Sequence, residues 1–423
     1  MATDNNNKVL NVPNKREQSG IYSGYAERGV LRPQGNVPNL RFPEFTEDWV
    51  QYKCSDLLEF YSTNSLSWEQ LDYESEELLN LHYGLIHVGL PTLVNVAQNN
   101  LPAIKSEFVP KNYTLCNNGD VAFADASEDT NEVAKPIEFF DCSDRQVVCG
   151  LHTIHGRDKL GITEVGFKGY AFSSTPFHHK IRRLAQGSKV FSISAKNFSE
   201  VSIGVPSKKE QQKIIGLLSK LDERIDTQNK IIEDLKKLKV AIRDKELNVI
   251  RKRHGLNRQI LELLDYEQPS RYIVSNTEYS DDSNLIPVLT ANKAFILGYT
   301  DEPFGIYDKG LCIILDDFTL DCKLVNFAFK IKSSAIKILT SKNGISLRYV
   351  YEYLNHIGLE TTEHKRHYIS AIEPMLIAYP DNNEVVISFC DLMDKFDQKI
   401  EIENKYLQSL LAQKAYLLIN MFI

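Results

Sequence analysis

Pro206-Ser207-Lys208-Lys209-Glu210-Gln211-Gln212-Lys213-Ile214 opens a stretch whose like recurs at Pro380-Asp381-Asn382-Asn383-Glu384. Each opening reads Pro, then Ser or Asp, then Glu three residues on, the signature of a capped helix start. Beyond it, at an offset of 175 residues, Leu217 matches Leu392, Leu218 matches Met393, Leu221 matches Phe396 and Asp222 matches Asp397. Ile225 with Ile400, Asn229 with Asn404 and Leu235 with Leu410 extend the match. Two similar helices with a whole domain between them imply a chain built in two halves about a pseudo-twofold axis.

Both helices carry an apolar seam of coiled-coil rhythm. In the first it runs through Ile214, Leu218, Leu221, Ile225, Ile232, Leu235 and Ile242. In the second it runs through Phe389, Met393, Phe396, Ile400, Leu407, Leu410 and Leu417. Gln228 and Lys239 interrupt the first seam, and Glu403 and Lys414 interrupt the second at matching positions; polar seam residues fix register and partner choice. Spans of some 40 residues, roughly 60–70 Å at 1.5 Å per residue, exceed ordinary amphipathic surface helices. Residues 207–254 hold 14 Lys/Arg against 8 Asp/Glu, a net +6, and residues 381–423 hold 4 against 7, a net −3. Opposite charge favours pairing these helices with each other, and a domain-length connection makes that pairing antiparallel.

Length allows two or three domains with real cores, and 43% apolar with 25% charged residues is ordinary for a globular protein. No run of about 18 apolar residues is present, and the N-terminus has no apolar leader, so a cytoplasmic, non-membrane protein is expected. Seven cysteines, odd in number and never spaced Cys-x-x-Cys, suggest reduced thiols without a disulfide framework or metal site. The pattern divides the chain into an extended polar arm (1–38), an α+β unit with short strands (39–206), a long helix (207–254), a second α+β unit (255–380) and a second long helix (381–423). The two units echo each other: Asn118-Gly119-Asp120-Val121-Ala122-Phe123 resembles Lys309-Gly310-Leu311-Cys312-Ile313-Ile314, and Ile193-Ser194-Ala195 resembles Ile369-Ser370-Ala371.

This alternation of domain and long helix resembles the specificity subunit of type I restriction–modification systems. The residues that carry the resemblance are Pro206 to Ile214 and Leu221-Asp222-Glu223-Arg224-Ile225, which sit where that family has its Pro-x-x-x-Glu-Gln-x-x-Ile and Leu-Asp-x-x-Ile signature. Leu40-Arg41-Phe42-Pro43-Glu44-Phe45 with Trp49 looks like the family's domain entry, and Gly150-Leu151-His152-Thr153-Ile154 like a late strand. The resemblance implies two target recognition domains, small mixed α/β units separated by two long helices that form an antiparallel coiled coil. It also implies a noncatalytic subunit without a cofactor of its own. Such a subunit reads a bipartite, asymmetric double-stranded DNA target. It docks methyltransferase subunits, two per chain, which hold S-adenosylmethionine, and restriction motor-nuclease subunits.

The residues agree with a noncatalytic role. A DNA adenine methyltransferase needs an Asn/Asp-Pro-Pro-Tyr tetrapeptide for the flipped base, and no Pro-Pro pair occurs. No Gly-x-x-x-x-Gly-Lys loop serves a helicase. A fused restriction–modification enzyme and a coiled-coil adaptor without DNA binding are the competing readings. The group His152, His155, Arg157 and Asp158 reads as DNA-facing or structural rather than as a metal site. Asp120, Asp125, Glu128 and Asp129 lack the Glu-x-Lys partner of a nuclease and read as a solvated loop. Two basic clusters, His178, His179, Lys180, Arg182 and Arg183, and His364, Lys365, Arg366 and His367, precede the strand leading into each helix. They are candidates for phosphate contact, which orients a duplex without reading sequence. Asn117, Lys168, Lys293 and Lys323 are unranked candidates for base readout. With the helices set aside, the remaining net charge is −10, which disfavours nonspecific DNA binding by the chain alone.

Overall fold

In the computed structural model of the chain, residues 36–75, 77–291, 294–359 and 367–423 are described. The arm expected over 1–38 falls outside them save for its last three residues. The described chain forms two compact units: residues up to Asp226 with Ser409–Ile423, and Thr227–Gln408.

The first unit is built on a five-stranded sheet in the order Leu58–Tyr61, Thr153–Asp158, Val121–Ala124, Pro136–Phe140, Leu93–Asn95. Neighbours are antiparallel except the last pair. A four-stranded sheet, Val147–Cys149, Leu79–Leu81, Ala103–Ile104, Leu71–Asp72, accompanies it. Val50–Lys53 pairs with Ser202–Val205, so the entry to the unit lies beside the strand that leads into the first long helix. Trp49, Phe167, Phe172, Phe177 and Phe198 fill the core with Ile214 and Leu218 from that helix. The chain's last residues, Met421, Phe422 and Ile423, are buried in the same core. Phe422 meets Trp49 edge to face at 6.2 Å, and a Cβ on Gly204 would stand 2.5 Å from Ile423.

The second unit repeats the plan in reduced form. Its main sheet runs Leu264–Glu267, Ile336–Ser341, Cys312–Asp316, Cys322–Val325, matching the first four strands of the five-stranded sheet in order. Arg258–Gln259 pairs with Leu376–Ile377 as Val50–Lys53 pairs with Ser202–Val205. Gly119 and Gly310, which precede equivalent strands, have φ +85° and +88°. The echo noticed in sequence is thus a turn both units need, and glycine adopts it without steric cost.

The long helices span Lys208–His254 and Asn383–Asn420. Each unit contains a stretch of both. Ile214, Leu218, Leu221, Ile225 and Ile232 are buried, as are Phe389, Met393, Ile400, Leu407 and Leu410; Leu235, Ile242 and Phe396 are half-buried. Leu417 is half-buried and Leu418 takes the inward position. In the second unit Gln228 meets Glu403 and Lys239 meets Asp397, so numbering climbs in one helix as it falls in the other: the pairing is antiparallel.

The two openings are out of step by one residue. Helices starting at Lys208 and Asn383 keep the 175-residue offset, but Pro206 precedes its helix by two residues and Pro380 by three. The N-terminal turns are capped by Ser207, whose Oγ accepts from Glu210 N, and by Asn382, whose Oδ1 accepts from Glu384 N. Asn382, not Asp381, is therefore the counterpart of Ser207. Glu210 corresponds to Val385, and Glu384 is an exposed surface residue.

Candidate functional site: helix seam and nucleic-acid surface

Glu210 is buried, and its carboxylate is the anchor of the first opening. Arg41 donates to it through Nε and Nη2 at 2.7 and 2.8 Å, and Trp49 Nε1 donates at 3.2 Å. Gln211 beside it donates to Ile162 O and Pro206 O, and accepts from Glu164 N. The Glu-Gln signature thus fastens two remote loops to the helix start. At the second opening Val385 and Val386 face the apolar core instead.

The polar seam residues are mutually satisfied. Gln228 Nε2 donates to Glu403 Oε2 at 2.6 Å and to Glu403 O at 3.0 Å. These two positions are equivalents in the repeat, so the residue meets its own counterpart. Lys239 pairs with Asp397 at 2.6 Å, and Lys414 with Asp222 at 2.6 Å. Asp222 and Asp397 are equivalents, as are Lys239 and Lys414; one ion pair is the repeat of the other. Arg348 adds to the second pair by bonding Asp397 and Glu352. Tyr170 OH donates to Asp222 at 2.9 Å beside the first.

The basic cluster of the first unit lies on and just beyond the short helix Thr175–Arg182. His179, Arg182 and Arg183 are exposed. His178 is turned inward, its Nδ1 buried without a well-formed hydrogen bond among the described residues, and burial pulls its pKa down to about 4. Lys180 donates to Ser202 O at 2.7 Å, and burial lowers its pKa too. Helical spacing explains the split, since 177 and 181 anchor the inner face and their neighbours follow it. In the second unit His367 is buried, its backbone N donating to Asp317; His364, Lys365 and Arg366 lie outside the described residues, as does Lys293.

Lys168 is buried against Glu138 at 3.0 Å, an internal ion pair. Asn117 lies beside Arg157, and Lys323 is half-buried on a strand. The four acidic residues do not form one centre. Asp120 is buried and accepts from Arg157 at 2.8 and 2.7 Å, from His155 at 2.8 Å and from Asn117 N. Burial acts the other way, but Arg157 and His155 hold its carboxyl below the usual range. Asp125 faces His152, and Asp129 closes its own turn. Arg157 stacks over Tyr61 at 4.8 Å and is partly exposed.

The family described as "Type I restriction modification DNA specificity domain" matches residues 160–237, the segment that holds the Glu210–Gln211 anchor, Asp222 and Gln228. Across almost the whole chain, the S subunit of a type I restriction–modification system from M. genitalium superposes with a TM-score of 0.51. It covers 92% of this chain and 99% of that one at 15% identity. The fold is that of the type I specificity subunits. A second structure, solved for complex assembly and conformational transition of the type I R-M system, gives a TM-score of 0.53 at 12% identity, covering 88% and 96%. In sequence, the chain is 46% identical over 147 residues to the specificity subunit of the Escherichia coli type I restriction enzyme EcoR124I/EcoR124II. That match spans 32% of this chain and 36% of the relative, about a third of the relative's length. Among the described residues, no helix is long and apolar enough to cross a membrane.

Proposed function

We propose that this chain is the noncatalytic DNA-recognition subunit of a type I restriction–modification assembly in the cytoplasm. Each α+β unit reads one half of a bipartite, asymmetric double-stranded target. The helix pair docks two methyltransferase subunits, with which restriction subunits associate. The observation that carries this reading is the seam of repeated ion pairs, Lys239–Asp397 and Lys414–Asp222, around Gln228–Glu403. It is what a chain needs to present two related but unlike readers through equivalent helices. His179, Arg182 and Arg183 are the exposed cations for phosphate contact in the first unit, while methyltransferase partners supply the positive charge the chain lacks.

Adenine-methylation sequencing of cells carrying the methyltransferase gene, with and without this chain, tests the reading. Modification at one asymmetric, bipartite site is expected only when both are present. Methyl transfer by the purified chain alone, or methylation indifferent to the chain, would overturn it.

A further inference from the structure

Away from the seam and the basic surface, Cys116, Cys149 and His155 converge inside the first unit. All three are buried, with thiol sulfurs and an imidazole nitrogen within 4.8 Å of one another. The two Sγ atoms lie 3.5 Å apart. His155 Nε2 is fixed 2.8 Å from Asp120 Oδ2. Its other nitrogen, Nδ1, is buried and meets no hydrogen-bond partner of good geometry among the described residues. A buried ring nitrogen left in that state is uncommon and calls for an explanation.

We propose that Cys116 Sγ, Cys149 Sγ and His155 Nδ1 bind one thiophilic divalent cation, Zn²⁺ by the chemistry of the set. Two thiolates with an imidazole are soft to borderline donors that suit zinc over magnesium or calcium. Metal–sulfur bonds of about 2.3 Å place the sulfurs of a tetrahedral site roughly 3.8 Å apart, so a few tenths of an ångström closes the gap. A carboxylate on the far ring nitrogen is the usual device that orients a metal-binding histidine. Here Asp120 occupies that position and is itself fixed by Arg157. Cys149 also lines a cavity of about 380 Å³ with Ser62, Asn64 and Tyr113, through which the ion would enter, and a water would fill the fourth position. Binding releases the two thiol protons, and the Nδ1 proton of a charged His155, to solvent. The ion joins an edge strand of the four-stranded sheet (Val147–Cys149) to the strand Thr153–Asp158 of the five-stranded sheet.

The test uses the full chain, purified under reducing conditions and dialysed against Zn²⁺ or Co²⁺. One equivalent of metal by mass spectrometry is expected, and the cobalt form should show a thiolate-to-metal charge-transfer band. Cys116→Ser and Cys149→Ser should each weaken the band to roughly half, for the one thiolate left, and bind at least tenfold more weakly. Asp120→Asn should bind about 10–100-fold more weakly, as loss of such an orienting carboxylate generally does. Cys312→Ser, a buried cysteine of the second unit, should bind like the parent. Should the ligand variants not fold, the cobalt spectrum of the parent chain decides by itself. Folded, reduced parent chain that takes up no stoichiometric metal would overturn the proposal. So would cobalt bound without the thiolate band, which marks adventitious surface histidines.

Discussion

The two helix openings solve one packing problem with opposite chemistry. At the first, a buried Glu210 carboxylate gathers Arg41 and Trp49 from a loop more than 160 residues upstream. At the second, Val385 and Val386 pack into an apolar cluster with Met393 and Tyr349. A buried ion pair gives directionality but is costly to break, whereas an apolar contact loses only its own area. One half of the duplicated scaffold is therefore brittle at its helix start and the other forgiving.

The largest effect should leave that contrast behind and report the seam common to both halves. Leu218 and Met393 are equivalents, and both are fully buried. Leu218→Asp and Met393→Asp should each cost several kcal/mol by burying an unpaired carboxylate, and both should abolish assembly with the methyltransferase. Chemical denaturation and gel filtration with the partner check this. Normal assembly by either variant would show that the helices do not pair through these residues.

Next, Glu210→Ala should destabilise the first unit by roughly 3 kcal/mol, because Arg41 and Trp49 are left without their acceptor. Val385→Ala should cost only about 1 kcal/mol, and the exposed Glu384→Ala should stay within about 0.5 kcal/mol. Equal losses for Glu210 and Glu384 would mean that the openings align through their prolines after all.

A pH effect of roughly 2–3 kcal/mol belongs to the first unit. With the folded pKa of His178 near 4, against an ordinary 6.5, the unfolded chain takes up the proton first. Its contribution is complete above pH 6.5 and is lost as pH falls toward 4. His178→Gln should reduce the slope over that window, and the exposed His179→Gln, whose pKa burial and then Arg182 and Arg183 also lower, should reduce it less; denaturant midpoints measured from pH 7 to 4 decide.

Subtler effects concern partner choice. Gln228→Glu should weaken the helix pairing by about 1 kcal/mol by setting two carboxylates together, and Glu403→Gln on top of it should restore the pairing. A fragment ending near Gly255, if two copies pair, meets Gln228 with Gln228 and Lys239 with Asp222, so each polar seam position keeps a polar partner. Two second halves would set Glu403 against Glu403. The first-half fragment should direct methylation to a palindrome of its own half-site, more weakly than the full chain does, since its helix carries +6. There, Leu247 replaces Phe422 but Asn248 replaces Ile423 in the core. Methylation at a site that still contains the second half-sequence would break the two-reader picture.

Much of this was legible in the sequence because helical periodicity is local: the seam, its polar interruptions and the two-unit plan follow from spacing alone. What was not legible depends on partners far along the chain. Nothing near Glu210 announces Arg41, and the Pro-to-Glu likeness hides a one-residue slip before the second helix. His178 and Lys180 look like their exposed neighbours until the helix face is known. Cys116, Cys149 and His155 have no ligand spacing, because different strands and loops bring them together.

The burial of Phe422 and Ile423 under Trp49 also sets a clock. The first unit's β-structure is complete once Val205 has been made, yet its core waits for residues more than 200 positions later. At 5–20 residues per second, the ribosome delivers them roughly 10–40 s afterwards. For that interval Trp49 and the backbone around Gly204 lack their final cover. The first unit, although synthesised first, is therefore the last to finish, and nascent chains stalled after the second unit should remain open to protease near Trp49 until the closing segment arrives.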